Sequence, residues 1–195
     1  NRRAMRQGRG MLIVGIVIVL IVLLVIVALW QFNKLRRLNV NVEEGYAQIE
    51  VQLARRSDLI PNLVETVKGY AKHEREVLEA VTNARAHVQE AQGVGQTAAA
   101  DAQLTSALNG LMIVAENYPD LKASTNFLQL QEELTTTENK IAFARQYYNE
   151  SVRALNTAIV TFPSMLFVGM SGVTKHEFYE VPDASQRIAP NVGFN

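Results

Sequence analysis

Histidine, serine, carboxylates and clustered glycines are where chemistry would be sought in this chain of 195 residues, which has three His and no Cys. His73-Glu74-Arg75-Glu76-Val77 begins like a zinc-binding helix, but Val77 stands where the second His is needed to complete an i, i+4 ligand pair. His176-Glu177-Phe178-Tyr179-Glu180 lies between Gly172 and Pro182, a setting that does not hold helical ligands in register. Ser57-Asp58 has no nearby His to act as a base, and helix capping explains both residues. Gly93-Val94-Gly95 lacks the third Gly and the preceding strand of a dinucleotide-binding turn, so a flexible turn is expected. We therefore expect no catalytic residue, no metal, no cofactor and no enzymatic activity. Glu74, Thr137, Asn149 and Asn156 are polar residues at or near the seams of apolar stripes. They would be hydrogen-bonded or set register between helices, with a partner-binding ridge as the alternative.

The element that places all of this in the cell is an apolar run from Met11 to Phe32, uncharged from Leu12 to Leu29. As a helix it reaches ~33 Å, the thickness of a bilayer's hydrocarbon core. It exceeds the core of a signal peptide and ends in Trp30 and Phe32, followed by Lys34, Arg36 and Arg37, with no small-x-small cleavage site. A retained single span over 11–32 is expected, behind a basic flank over 1–10. Met11, Leu12, Leu20, Leu24 and Leu29 form the anchor, and Trp30 rests at the headgroup boundary. Without Cys there is no site for a lipoprotein's acyl chains. Gly15 has no Gly four residues away, so the span reads as a tether rather than a recognition helix.

The neutral overall charge hides a division. Seven of the 19 Lys and Arg precede Leu38 with no acid among them, so 12 basic residues face 19 acidic ones in the remainder. A domain this acidic, without a basic stripe, is a poor nucleic-acid binder, and the basic clusters beside the span suit anionic lipid headgroups. Four Arg before the span against Lys34, Arg36 and Arg37 after it nearly cancel in the positive-inside comparison. We take the soluble part to be extracytoplasmic. Residue 1 is Asn rather than Met, and one or two basic groups upstream of it would decide the matter.

Beyond the span the periodicity is helical to Phe162, in a bundle assigned to 33–172. Leu35, Leu38, Val42, Tyr46, Ile49 and Leu53 form the first stripe. Arg55 to Asp58 reads as a corner, with Pro61 in the first turn of a second helix whose stripe runs from Leu63 through Glu74 to Ala91. A third helix carries Leu104, Leu108, Leu111 and Ala115 until Tyr118-Pro119-Asp120 stops it. The longest follows a cap at Ser124 or Asn126 and runs from Phe127 to Phe162. These stripes call for an all-α, elongated antiparallel bundle of about four helices forming one soluble domain. A short helix after Pro163 is expected, then an extended tail over 173–195. Its Phe178, Tyr179 and Phe194 would strap the tail to the bundle or contact a partner.

Read together, Arg56-Ser57-Asp58-Leu59-Ile60-Pro61-Asn62-Leu63-Val64, Glu116-Asn117-Tyr118-Pro119-Asp120-Leu121-Lys122-Ala123, Leu128 to Leu134, Thr137-Glu138-Asn139-Lys140-Ile141, Ala144-Arg145-Gln146-Tyr147-Tyr148-Asn149 and Phe162-Pro163-Ser164 resemble the LemA family of bacterial membrane proteins. The resemblance covers nearly the whole chain and loosens only over Val181 to Asn195. It implies a helical bundle on one membrane anchor in the bacterial inner membrane, without catalytic activity. It also implies a setting beside a membrane-bound protease of the HtpX type, and a kinship with magnetosome-membrane proteins. Two functions are then expected to compete. One is a scaffold or adaptor, self-associating through its soluble helices or binding other membrane proteins in envelope stress or protein quality control. The other is a ligand-sensing or accessory subunit of a membrane protease or signalling system.

Overall fold

The structure, a computed structural model, describes residues 2–180, with side chains from Val14 onward; Phe194 lies outside the described residues. Among these residues the chain is helical without strands. It consists of α1 (Arg2–Tyr70), α2 (Arg75–Glu90), α3 (Gly93–Ala115), α4 (Pro119–Lys122), α5 (Thr125–Val160), a 3-10 turn (Ser164–Phe167) and α6 (Val168–Ser171). Residues 173–180 follow without regular secondary structure. The chain divides into two compact units, one of Asn1–Val42 with Ser151–His176 and one of Glu43–Glu150 with Glu177–Asn195.

α1 is continuous from the basic flank through the apolar run to Tyr70, so the corner expected at Arg55 to Asp58 does not exist. Pro61 lies inside the helix, where it has no N–H to offer the carbonyl of Ser57. The guanidinium of Arg85 on α2 supplies the missing donor, its Nε donating to Ser57 O at 2.9 Å. With that carbonyl satisfied from outside, the helix passes Pro61 intact, and Ser57 is a buried mid-helix residue rather than a cap.

The reversal falls instead at residues 71–74, one turn-length of chain, which divides the stripe read as a single second helix. Glu74 belongs to this turn, not to a seam, and accepts a hydrogen bond from Tyr118 Oη at 2.9 Å. Across the turn, Ile60, Leu63 and Val67 of α1 share one core with Leu78 and Val81 of α2, Leu104, Leu108 and Leu111 of α3, and Phe127 and Leu134 of α5. Burying several such side chains, each worth roughly 1.5–3 kcal/mol, is what holds this unit's helices side by side. α2 and α3 join through Ala91 and Gln92 alone. Gly93 takes the left-handed φ of 75° that opens α3, and Gly95 lies within the helix rather than in a loop. At Gly45, a Cβ would stand 3.0 Å from the Cα of Tyr148, so α1 and α5 approach there more closely than a side chain accommodates without a small shift of the backbone.

The other unit has a smaller set of buried apolar residues, among them Leu35 and Val42 of α1 and Val152 and Leu155 of α5. Ser164 Oγ donates to Gln31 Oε1 at 2.9 Å, both residues buried. Gly172, at φ 67°, ends α6 in the left-handed conformation. From Val14 to Trp30 the side chains of α1 are almost all exposed, and this helix is long and apolar enough to cross a membrane.

Candidate functional site

Within the second unit, Thr97, Asp101 and Thr105 follow one another at steps of four along one face of α3. Arg56 of α1 reaches this face, its Nη1 donating to Thr105 Oγ1 at 3.0 Å and pairing with Asp101 Oδ1 at 3.2 Å and Glu138 Oε2 of α5 at 2.7 Å. Two helical turns beyond Glu138, Arg145 sets Nη1 3.5 Å from Asp101 Oδ2 and Nη2 3.6 Å from Glu138 Oε1. Two cations and two anions therefore close on one another, with Asp101 1% and Arg56 4% exposed.

The tail completes the cluster. Tyr179 is 3% exposed and its Oη donates to Asp101 Oδ2 at 3.1 Å. Burial holds the Asp101 carboxyl above the usual carboxylate range against the opposing pull of Arg145, Arg56 and the Tyr179 hydrogen bond. Burial, reinforced by the charge of Asp101, raises the Tyr179 phenol, so it is a neutral donor at physiological pH. Tyr46 Oη bonds Thr97 Oγ1 at 3.0 Å and its ring tilts against that of Tyr148, 5.9 Å between centroids.

Backbone recognition accompanies this side-chain contact. Asn149 of α5 accepts the Tyr179 N–H on Oδ1 at 2.8 Å and donates Nδ2 to the Tyr179 carbonyl at 3.1 Å. Tyr148 Oη donates to the Glu177 carbonyl at 2.8 Å. An Asn amide carries one donor edge and one acceptor edge, so it does for an extended chain what a neighbouring strand's peptide would do. In the first unit Asn156 repeats the device on His176, accepting its N–H at 3.0 Å and donating to its carbonyl at 2.9 Å. The His176 ring donates Nε2 to Asn39 Oδ1 at 3.1 Å.

The residues singled out from the sequence thus have definite places. Asn149 and Asn156 are tail clamps, and Thr137 returns its hydroxyl to the Glu133 carbonyl of its own helix at 2.8 Å. Tyr179 is turned into its own bundle, whereas Phe178 beside it remains 38% exposed. Leu20, Leu24, Leu29 and Trp30 lie exposed along α1, with Lys34 Nζ 5.6 Å from the Trp30 ring centroid; Met11 and Leu12 are helical. Sequence reasoning missed the ionic cluster. The signal was present: Arg56 falls three residues after Leu53 and four before Ile60, and Asp101 three before Leu104, each a charge on an apolar stripe.

A membrane-length helix running into a helical bundle, and an extended tail clamped by Asn side chains and closing a buried ionic cluster, define a class of α-helical, membrane-associated protein. The chain belongs to the LemA family, whose model matches residues 45–194 and so includes the tail. It is 28% identical over 132 residues to Protein LemA of Metamycoplasma hominis, covering 67% of this chain and 60% of that relative, less than two thirds of its length. It is 23% identical over 202 residues to Magnetosome protein MamQ of Magnetospirillum gryphiswaldense, covering 89% of this chain and 74% of that one. Magnetosome protein MamQ 2 of Paramagnetospirillum magneticum is similar to the same degree, 23% over 203 residues, with 90% and 75% covered.

Proposed function

We propose that this protein is a non-enzymatic scaffold or adaptor, held in the bacterial inner membrane by one span, whose extracytoplasmic helices associate with copies of themselves or with other membrane proteins. The observation that supports this most is the closure of the buried ionic cluster by the chain's own Tyr179. Its charged groups are turned on one another and on the tail, which is an arrangement for holding structure rather than for meeting a substrate. The outward surface of the same unit offers single apolar side chains instead, Phe143 at 72% exposure among them, with Ile113 and Leu128.

A photo-crosslinking residue at Phe143, Ile113 or Leu128 of the full chain in its own membranes tests this. The expected result is a discrete adduct, either a dimer of the chain or a complex with one membrane protein, and an HtpX-type protease is the partner to probe first. Only uncrosslinked monomer from all three positions would count against the scaffold reading. Sidedness has its own test, because the chain has no Cys and Gly95 is open to solvent. Gly95→Cys should react with an impermeant maleimide in intact cells; protection until lysis would reverse the orientation.

A further inference from the structure

The turn that follows α5 has a character that the rest of the soluble chain lacks. No charged residue occurs between Arg153 and Lys175, although the chain as a whole is 19% charged. Within that stretch Phe162 is 77%, Leu166 64% and Met170 74% exposed, with Met165 half exposed beside them. Contiguous apolar side chains without charge are unusual on a water-facing surface unless something covers them. Ser164 and Ser171, the small polar residues of the same turn, are by contrast buried. The sequence has turned its apolar groups out and its polar groups in.

The depth of this turn identifies the covering phase. Ser164 Oγ is bonded to Gln31 Oε1 at 2.9 Å, and Gln31 adjoins Trp30 at the end of the apolar run of α1. With a rise of ~1.5 Å per residue, that bond fixes the turn within a few ångströms of the level where the span ends. Trp30, exposed and with Lys34 over its ring, has the amphipathic character of a headgroup-level anchor.

We propose that the 162–170 turn is a second membrane contact, an interfacial wedge in which Phe162, Leu166 and Met170 enter the headgroup and upper acyl region of the leaflet at which the α1 span ends. The inference rests on the reading of α1 as a membrane span. The wedge would resist tilting and rotation of the first unit about α1, which a lone span leaves free. Its partner is the lipid surface itself, through burial of apolar area rather than headgroup recognition, since the turn presents no charge.

The full chain reconstituted in phosphatidylcholine–phosphatidylglycerol vesicles tests this with lipids brominated at shallow acyl carbons, which quench nearby tryptophan. Three proteins are compared: the natural chain, whose one Trp is Trp30, and Leu166→Trp and Val40→Trp, each combined with Trp30→Phe; Val40 is exposed on α1 ten residues, about 15 Å, beyond Trp30. Quenching of Trp30 and of the tryptophan at 166 to a similar extent, with far less at 40, is the expected result. Quenching of Trp30 without quenching at 166 would overturn the wedge while leaving the span intact. Absence of quenching at Trp30 would overturn the span and the wedge with it. Met170→Trp is the second wedge variant should Leu166→Trp fail to fold, and its quenching is read in the same way.

Discussion

The two units of this chain solve the problem of burial in opposite ways. In the second, leucines of four helices enclose one another, and the buried Asp101 pairs with Arg56 and Arg145. In the first, few large side chains are buried, Leu35, Val42, Val152 and Leu155 among them, and large apolar residues such as Phe162 and Met170 are exposed. A unit with a core of its own tolerates buried charge, because neighbouring groups replace the solvation that the charges lose. A unit that exposes its apolar residues relies on its surroundings. The tail is treated alike in both, since an Asn of α5 grips its backbone at Asn149 in one and at Asn156 in the other.

The largest effect that would sharpen this contrast is expected at Arg56. Arg56→Ala leaves Asp101 buried with Arg145 as its remaining cation, and such a break costs about 3–5 kcal/mol. Denaturant unfolding of the full chain in detergent micelles measures it; a loss below about 1 kcal/mol would show that the cluster is solvated in practice.

Alkaline pH gives the next largest effect. Burial, with Tyr46 and Glu177 adding to it, pushes the Tyr148 phenol up to about 12 from 10. Because the folded value is the higher, its contribution is complete below pH 10 and is lost as pH rises through 12. A shift of this size is worth about 2–3 kcal/mol. Stability followed against pH should fall over that window in the natural chain and fall less in Tyr148→Phe.

Asn149→Ala removes both hydrogen bonds to Tyr179 and should cost about 1–3 kcal/mol, with faster proteolysis of the tail as the direct readout. The smallest of these effects is Gly45→Ala. Helix propensity favours Ala by about 1 kcal/mol, but its Cβ meets α5 backbone that cannot swing aside, so a net loss of about 1 kcal/mol is expected. A stabilised Gly45→Ala protein would show that α1 and α5 can separate there freely.

The all-α class, the membrane-length helix, the start of α3's stripe and the long α5 were legible in the periodicity. Their apolar residues repeat at three and four, and Pro119 and Pro163 lie just beyond the ends of α3 and α5. The course of α1 was not. Pro61 signals a break in any local reading, and what cancels the signal is Arg85, 28 residues away from the carbonyl it satisfies. The turn at 71–74 was hidden for a related reason. It replaces about one helical turn of chain, so the apolar spacing continues across it with a small slip that exchanges Val77 for the more deeply buried Leu78. The site was half legible. Asn149 and Asn156 stood out as polar residues near a seam, seven apart, but their partners are backbone groups of a segment with no period of its own. The ionic cluster unites residues from α1, α3, α5 and the tail, and only the fold brings such distant charges together.

Residues 177–180 of the tail are a fixed part of the bundle, held by Asn149 and sealed by Tyr179. Hydrogen exchange of the Tyr179 amide in the full chain in micelles addresses this directly, because that N–H is given to the Asn149 side chain. Strong protection in the natural chain, lost in Asn149→Ala while the α3 amides stay protected, is the expected result. Exchange of the Tyr179 amide at the rate of an unstructured peptide in the natural chain would contradict it.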